Sequence, residues 1–249
     1  MNRWKRNART IAGTAMAALS ASAMVHASGA LAGTLRIAPV RVEVAPKKQF
    51  CSLSLSNDGA EPAIVQIRGY GWSRDDDGND LLDQANGPAV NPSIVTIPTG
   101  ETRLIRCSLP NKAGPVEESY RLVMDELPGA NPAPGTIRTL LRISIPVFRA
   151  PVGAAPAMGW SVEKGHGGAT RLTLVNRGNR HAQILAVILR PEASRAEPVR
   201  LARGFYLLAG GRVALPLPTP AAGGVAAVEL ETTQGRLAAS PIVPADGDD

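Results

Sequence analysis

Short runs in which apolar and polar residues alternate are the main pattern along this chain of 249 residues. A period of two is typical of strands that bury one face, whereas an amphipathic helix requires a spacing of three to four. Between residues 33 and 149 about seven such runs are separated by residues that favour turns. Short runs at this spacing predict an immunoglobulin-like β-sandwich domain. The runs are 34–44, 50–57, 63–72, 93–98, 102–109, 119–127 and 136–148.

A second group of apolar runs follows residue 160. The stretch APVGAAPAMG at 150–159 interrupts the alternation and predicts a linker, so we expect a second β-sandwich domain over 160–249. Within it, residues 192–204 are compatible with one helical turn, and no longer helix is indicated. The predicted strand runs are 170–176, 182–190, 205–210, 212–217, 226–232 and 237–243.

The last run of the first domain, TIRTLLRISIPVF at 136–148, contains a proline, Pro146. A proline cannot donate to a hydrogen-bond ladder, so this run is predicted to be an edge strand. Apolar edge strands pair with other chains, and soluble proteins normally protect them. The apolar row along this strand therefore requires an explanation. The row consists of Ile137, Thr139, Leu141, Ile143 and Ile145.

The first 32 residues have the pattern of a cleavable signal peptide. Four basic residues precede an apolar stretch at 11–25, and small-residue cleavage sites end at Ala27 and Ala32. We expect cleavage after Ala32, export of residues 33–249, and no membrane insertion of the mature chain. The alternative, a membrane anchor, is disfavoured because the apolar stretch is short and contains Ser, Thr and Gly.

The targeting segment also changes the meaning of the charge. The whole chain carries a formal net charge of +6, but without those four basic residues 23 Lys and Arg face 21 Asp and Glu. A net charge of +2 does not indicate a nucleic-acid partner. Any function of a basic residue in the mature chain must therefore be argued from its position and not from the net charge.

Two cysteines, Cys51 and Cys107, occur in the chain. Each shares the parity of the apolar residues in its run, so both thiols are predicted to face the same core. Export places them in an oxidising compartment, which favours a disulfide between them. Two free core cysteines are the alternative.

Residues suited to catalysis or metal binding are sparse. After removal of the signal, the histidines are His166 and His181, and neither lies near a cysteine or a carboxylate pair. Both are predicted to be surface residues, and we expect no cofactor, no metal site and no enzymatic activity. The acidic stretch SRDDDGNDLLDQ at 73–84 resembles a calcium loop, but Gln84 stands where a bidentate glutamate is needed. A solvated hairpin tip is the better interpretation, and the preceding Trp72 is predicted to be a core residue.

The order of several motifs resembles the PapD-like periplasmic chaperones of pilus assembly. IAPVRVEV and LSLSNDG resemble the first two strands, IPTGETRLIRC the turn and basic strand that follow, and ESYRLVMDELP the penultimate strand. LLRISIPVF resembles the last strand, with an ending similar to the archaic, Csu-like branch. LTLVNRGNRHAQI and FYLLAGGRVALPL resemble the second domain of that branch.

The resemblance implies two immunoglobulin-like domains in a boomerang arrangement that bind unfinished pilus or fimbrial subunits. The last strand of the first domain would complete the subunit by donor-strand complementation, and the subunit would then pass to an outer-membrane usher. The inserted residues would be Ile137, Leu141, Ile143 and Ile145. Two cations would hold the terminal carboxylate of the subunit. Arg41 matches the first, and the candidates for the second are Arg142 and Arg106, because the last strand lacks the lysine of the family.

Two other classes of protein remain open at this stage. A structural pilin or adhesin with tandem immunoglobulin-like domains is the first alternative, but it would normally have one incomplete domain and a free donor segment. An exported enzyme or carbohydrate-binding module is the second, although only nine aromatic residues occur in the chain. The favoured hypothesis is a periplasmic chaperone.

Overall fold

The computed structural model describes residues 35–110, 113–129, 139–164, 170–192, 196–217 and 224–242. The described residues form seventeen β-strands and no helix, so the predicted all-β fold is confirmed. The predicted signal peptide, residues 1–32, lies outside the described residues, and so does His166.

Ten strands of the first half form two facing sheets. The four-stranded sheet has the order β1-β3-β8-β6, and the other has the order β2-β10-β9-β4-β5, with β7 also paired to β4. The strands are β1 (Leu35–Ala38), β2 (Val42–Glu43), β3 (Phe50–Asn57), β4 (Ala63–Arg74), β5 (Asp80–Asp83), β6 (Ala89–Asn91), β7 (Ile94–Ile97), β8 (Thr102–Ser108), β9 (Glu118–Leu127) and β10 (Arg142–Arg149).

The first predicted run, 34–44, divides between the two sheets. Its first part, β1, pairs antiparallel with β3, whereas β2 pairs in parallel with β10. Two short strands, β5 and β6, were not predicted, because neither has an alternating apolar pattern. The last strand begins at Arg142, although its predicted run begins at residue 136.

The core of this sandwich lies between the two sheets and contains the apolar face predicted for each long run. Leu55, Val65, Ile97, Ile105 and Leu122 are fully buried there. Because each sheet supplies alternate residues to this core, the central inward-facing positions of β3, β4, β8 and β9 are apolar.

The two cysteines form a disulfide, as predicted. Cys51 of β3 lies directly opposite Cys107 of β8 in the ladder, with 5.0 Å between the Cα atoms. The bond joins neighbouring strands of one sheet, and both side chains belong to the core.

The second half contains seven further strands around a core of its own. They form one hydrogen-bonded series in the order β14-β13-β16-β17-β11-β12-β15. The predicted linker overlaps the first of these strands at Met158, and the stretch compatible with a helical turn contains the start of β14 instead. The strands are β11 (Met158–Lys164), β12 (Thr170–Asn176), β13 (Ala182–Pro191), β14 (Val199–Leu207), β15 (Arg212–Pro216), β16 (Val225–Thr232) and β17 (Gly235–Pro241).

The acidic hairpin between β4 and β5 contacts the second half, which corrects the prediction of a wholly solvated tip. Asp76 pairs with Arg212 at 2.6 Å, and its carbonyl accepts a hydrogen bond from the Ala214 N–H at 3.0 Å. Asp75 closes the turn by accepting hydrogen bonds from Asn79. Among the described residues no group of His, Cys, Asp and Glu could hold a metal ion.

A cluster of aromatic residues joins the two halves near this hairpin. Trp72 is buried, and its ring lies 5.8 Å from Phe148 of β10 and 5.5 Å from Tyr206 of β14. The Arg121 guanidinium lies 3.7 Å above the indole ring. Trp72 is thus a packing residue, as the sequence indicated, but it packs between the halves.

Candidate functional site

One edge of β10 is open over most of its length. On one side the whole strand pairs antiparallel with β9, from Arg142 opposite Asp125 to Arg149 opposite Glu118. On the other side β2 pairs with Val147 and Phe148 only. No other strand of the described residues pairs with this side, so the part before Val147 is an open sheet edge. We call residues 142–146 the open edge.

Two hydrogen bonds at the ends of β10 identify the backbone groups that point outward. The Leu141 carbonyl accepts from the Glu126 N–H at 2.9 Å, on the β9 side, and the Phe148 carbonyl accepts from the Val44 N–H at 2.7 Å, on the β2 side. Backbone groups alternate in direction along a strand that pairs in this way. The residues whose backbone groups face outward are therefore Arg142, Ser144, Pro146 and Phe148.

The apolar row predicted for this strand faces the interior of the first sandwich. Ile145 is 2% exposed within the core, Ile143 is half-buried and packs against that core, and Leu141, just before the strand, is half-buried. Ile137 lies outside the described residues. Burial thus falls along the row from Ile145 towards Leu141, and the partly covered end of the row coincides with the open edge.

Arg142 lies on the opposite, solvent-exposed face and is bound to a carboxylate within the chain. Its side chain is 71% exposed and pairs with Asp125, which also pairs with Arg68 of β4. The hydrogen bond from Arg142, together with that from Arg68, holds the pKa of the Asp125 carboxyl below its usual value. The guanidinium of Arg142 is already paired with Asp125, so it can bind a second carboxylate only while it keeps or gives up part of that pairing.

This network predicts a pH-dependent contribution to stability. Replacing Asp125 with Asn should lower the free energy of unfolding at pH 7 by about 1 kcal/mol or less, because water screens the exposed Arg142. A carboxyl whose folded pKa is depressed stabilises the fold above its unfolded pKa of about 3.9, and this stabilisation is lost as the pH falls through the folded pKa. Urea unfolding of both proteins between pH 7 and pH 2 measures the difference.

The more exposed pair Arg36–Asp58 supplies a matched control, since it also joins an arginine and an aspartate across the structure. Asp58→Asn should change stability less than Asp125→Asn. A difference between wild type and Asp125→Asn that stays constant down to pH 2 contradicts the predicted linkage.

Arg41 lies at the end of the open edge. Because Val42 stands opposite Val147, the preceding Arg41 is level with Pro146. Its Nε lies 3.4 Å from Glu43 Oε1, and its Nη1 donates to Gln183 Oε1 of β13 at 3.2 Å. The side chain is about one-third exposed, so the guanidinium remains accessible from the edge.

A second cation beside Arg41 was not predicted from the sequence. Arg180 precedes β13 in the second half, and its Nη2 lies 3.6 Å from Glu43 Oε2, the other oxygen of the carboxylate that Arg41 approaches. Both candidates indicated by the sequence, Arg142 and Arg106, belong to the first domain. The stretch NRGNRH at 176–181 contains the residue, but only the tertiary structure brings it next to Arg41.

Arg106 lies elsewhere in the first sandwich. It is an exposed residue of β8, opposite Ser52, in the sheet that does not contain β10. The structure therefore does not bring Arg41, Arg142 and Arg106 together. The three remain predictions as binding residues, with Arg41 at the end of the open edge.

His181 is buried, which corrects its prediction as a surface residue. It is 3% exposed, and its ring stacks on Phe148 with 3.7 Å between centroids. Glu117 Oε1 accepts from the His181 backbone N–H at 2.9 Å and lies 2.7 Å from His181 Nδ1. Glu117 itself has a fully buried side chain, so this pair joins the halves directly behind the end of β10.

Comparison with known proteins shows a similarity in the first domain. A family model described as "Pili and flagellar-assembly chaperone, PapD N-terminal domain" matches residues 34–155. The first domain is therefore similar to the N-terminal domain of the PapD-like pilus chaperones, the family that the sequence motifs resemble. A comparison with curated protein sequences gives no match.

Solved structures share the two-domain immunoglobulin-like fold. A chain of the CsuC–CsuE chaperone–tip adhesion subunit pre-assembly complex, from the archaic chaperone-usher Csu pili of Acinetobacter baumannii, has a TM-score of 0.68 at 22% identity, and the match covers 85% of this chain and 100% of that one. The E. coli chaperone DraB has a TM-score of 0.55 at 16% identity, with coverages of 84% and 97%. A chain of the Salmonella enterica SafA pilin–SafB chaperone complex has a TM-score of 0.56 at 14% identity, with coverages of 82% and 92%.

The described residues include no helix that is long and apolar enough to cross a membrane.

Proposed function

We propose that this chain is a non-enzymatic periplasmic chaperone that binds incomplete pilus or fimbrial subunits by donor-strand complementation. The observation that carries the proposal is the open edge of β10, with outward-facing backbone groups beside a half-buried apolar row. The family match supports the chaperone class, and relatives with the same fold form complexes with a tip adhesion subunit and with a pilin.

The open edge suits a strand from another protein for two reasons. Arg142 and Ser144 each present an N–H and a carbonyl outward, so a partner strand gains main-chain hydrogen bonds there. A partner sheet that continues the β10 sheet also extends the core, because its inward side chains lie beside Leu141 and Ile143. These half-buried side chains then lose contact with water, at a gain of about 25 cal/mol for each Å² of apolar surface covered.

The role of each predicted residue follows from its position on the strand. Leu141 and Ile143 insert into the open core of the subunit, and Ile137, which lies outside the described residues, is included from the sequence pattern alone. Ile145, already buried in the first sandwich, supports the end of the strand from within. The number of subunit positions filled is thus set by the residues before Ile145.

Arg41 and Arg180 are suited to hold the terminal carboxylate of the subunit. Their guanidinium groups flank Glu43 at the level where the open edge ends. A guanidinium binds a carboxylate with two parallel hydrogen bonds, and partial burial strengthens such bonds. Arg142 assists only by sharing itself with Asp125, and Arg106 is too far removed to take part from the opposite sheet.

Delivery of the subunit to an outer-membrane usher completes the proposed role. It follows from the family and from the chaperone-usher system of the Acinetobacter relative. Export by the predicted signal peptide places the chain in the periplasm, where subunit and usher meet.

Co-expression with a subunit encoded at the same locus tests the proposal. Wild type should yield a one-to-one complex, whereas Leu141→Asp should lower its yield about tenfold or more, because an ionised carboxylate is costly to bury in the joint core. The variant should fold, since Leu141 does not belong to the buried core cluster. Leu104→Asp is the matched control, because Leu104 is 49% exposed on the other sheet.

Three arginine variants make the anchoring roles distinguishable in the same assay. Arg41→Ala and Arg180→Ala should each lower the yield, and Arg106→Ala should not. If Leu141→Asp and Arg41→Ala both bind the subunit as wild type does, the proposed function is wrong. A purified chain that polymerises by itself and ignores the subunit indicates a structural pilin instead.

A further inference from the structure

Pro146 is the last residue of the open edge and the one outward-facing position there without an N–H. The alternation established by the Leu141 and Phe148 carbonyls places its backbone nitrogen on the outer side. The next outward-facing residue, Phe148, is already paired with β2. Pro146 therefore separates the part of the edge that β2 covers from the part that is open.

We infer that Pro146 determines where the bound subunit strand ends, and hence the register in which that strand pairs with β10. The inference rests on the proposed function and adds a positioning residue to it. Pro146 makes no contact with the terminal carboxylate. It limits how far the partner strand extends.

The physical reason is the missing hydrogen bond. A partner strand that passes Ser144 and reaches the level of Pro146 places a carbonyl where no N–H can donate to it. A buried carbonyl without a partner is unfavourable by more than the net value of an ordinary hydrogen bond. The pyrrolidine ring also occupies the space of the absent hydrogen, so the two backbones cannot approach as a ladder requires.

Arg41 lies at the same level, so a partner strand that ends there has its terminus beside a cation. The Val42–Val147 pair places Arg41 beside Pro146, with Arg180 sharing the carboxylate of Glu43. A strand whose last main-chain hydrogen bond involves Ser144 brings its terminal carboxylate to these cations. Pro146 excludes the register in which the strand runs two residues further and carries the carboxylate past them.

General protection of the edge does not explain this proline. A proline that serves only to prevent pairing belongs within the exposed part of an edge. Here Arg142 and Ser144 keep their outward N–H groups, and the proline stands at the boundary with β2. Its position blocks the end of the edge and leaves the rest able to pair.

Disulfide trapping measures the register directly. Ser144→Cys in the full chain is combined with single cysteines along the terminal strand of the co-expressed subunit, and mass spectrometry identifies the linked pair. With Pro146 we expect one dominant pair. Pro146→Ala should increase the share of a pair shifted by two residues about fivefold relative to the native pair, which corresponds to one net hydrogen bond.

Pro216→Ala is the matched control, because Pro216 ends the edge strand β15 of the second half and is exposed. It should leave the linked pair unchanged. If Pro146→Ala binds the subunit and gives only the cysteine pair that is trapped with Pro146, the inference is wrong and the proposed function stands. If neither wild type nor the Ser144→Cys variant that keeps Pro146 binds the subunit, both the inference and the proposed function are wrong.

Discussion

Removal of the Cys51–Cys107 disulfide is expected to lower the free energy of unfolding by about 4 kcal/mol, the chain-entropy value for a loop of this length. The bond closes a loop with a sequence separation of 56 residues and links two buried core positions. Cys51→Ala with Cys107→Ala removes it without leaving a free thiol or a buried hydroxyl. Urea unfolding monitored by tryptophan fluorescence gives the difference.

Wild type unfolded in the presence of a reductant is the control for this effect. It should lose a similar amount of stability, since reduction breaks the same bond without altering the core. Thiol titration of the denatured, unreduced protein should find no free thiol. An unfolding midpoint that is the same in the double variant, the reduced protein and the oxidised wild type contradicts the prediction.

Replacing Glu117 with Ala is expected to lower the free energy of unfolding by about 3 kcal/mol. Breaking a buried hydrogen-bonded pair leaves its partner without compensation, and such losses lie in this range. Here the variant removes the acceptor of the His181 backbone N–H and the neighbour of its ring nitrogen. It also weakens the connection between the halves, because Glu117 precedes β9 and His181 precedes β13.

Glu117→Gln is the matched variant for this position. It keeps an oxygen that can accept from the His181 N–H, so it should lose less than half as much stability as Glu117→Ala. Heat unfolding followed by circular dichroism compares the two. Equal stability of wild type and Glu117→Ala contradicts the structural role assigned to this pair.

The strands of both sandwiches were largely predictable because each buries one face. Leu53, Leu55, Ile105 and Cys107 share the parity that the core requires, and all four are buried. The same parity predicted that Cys51 and Cys107 face one core, where they form a bond. Strands without such a face escaped prediction: all four residues of β5 are exposed, and its position depends on pairing with the end of β4.

The candidate site was predictable in part. The proline within an apolar run indicated an edge strand, and β10 has an open edge before Val147. The sequence did not indicate that Ile145 is fully buried while Leu141 is only partly covered. That gradient arises because β2, whose Val42 belongs to the same core as Ile145, covers one end of the strand only.

Residues at the contact between the halves were the hardest to interpret. His181 and Asp76 stand in polar, turn-rich stretches, where exposure is the normal expectation, yet one is buried against Phe148 and the other is paired with Arg212. Their partners are distant in sequence. The local sequence pattern of a turn does not predict which residues of a second domain will contact it.

By itself the sequence determined the class of fold, the two cysteines that bond and the strand that carries an apolar row. These properties follow from periodicity, because a strand that buries one face must alternate along its own length. Only the tertiary structure decided where the edge of β10 is open, that Pro146 ends it, and that Arg180 joins Arg41 beside it. Such features depend on contacts between segments far apart in the chain. These contacts produce no periodic pattern of apolar and polar residues in either segment, so neither segment predicts them.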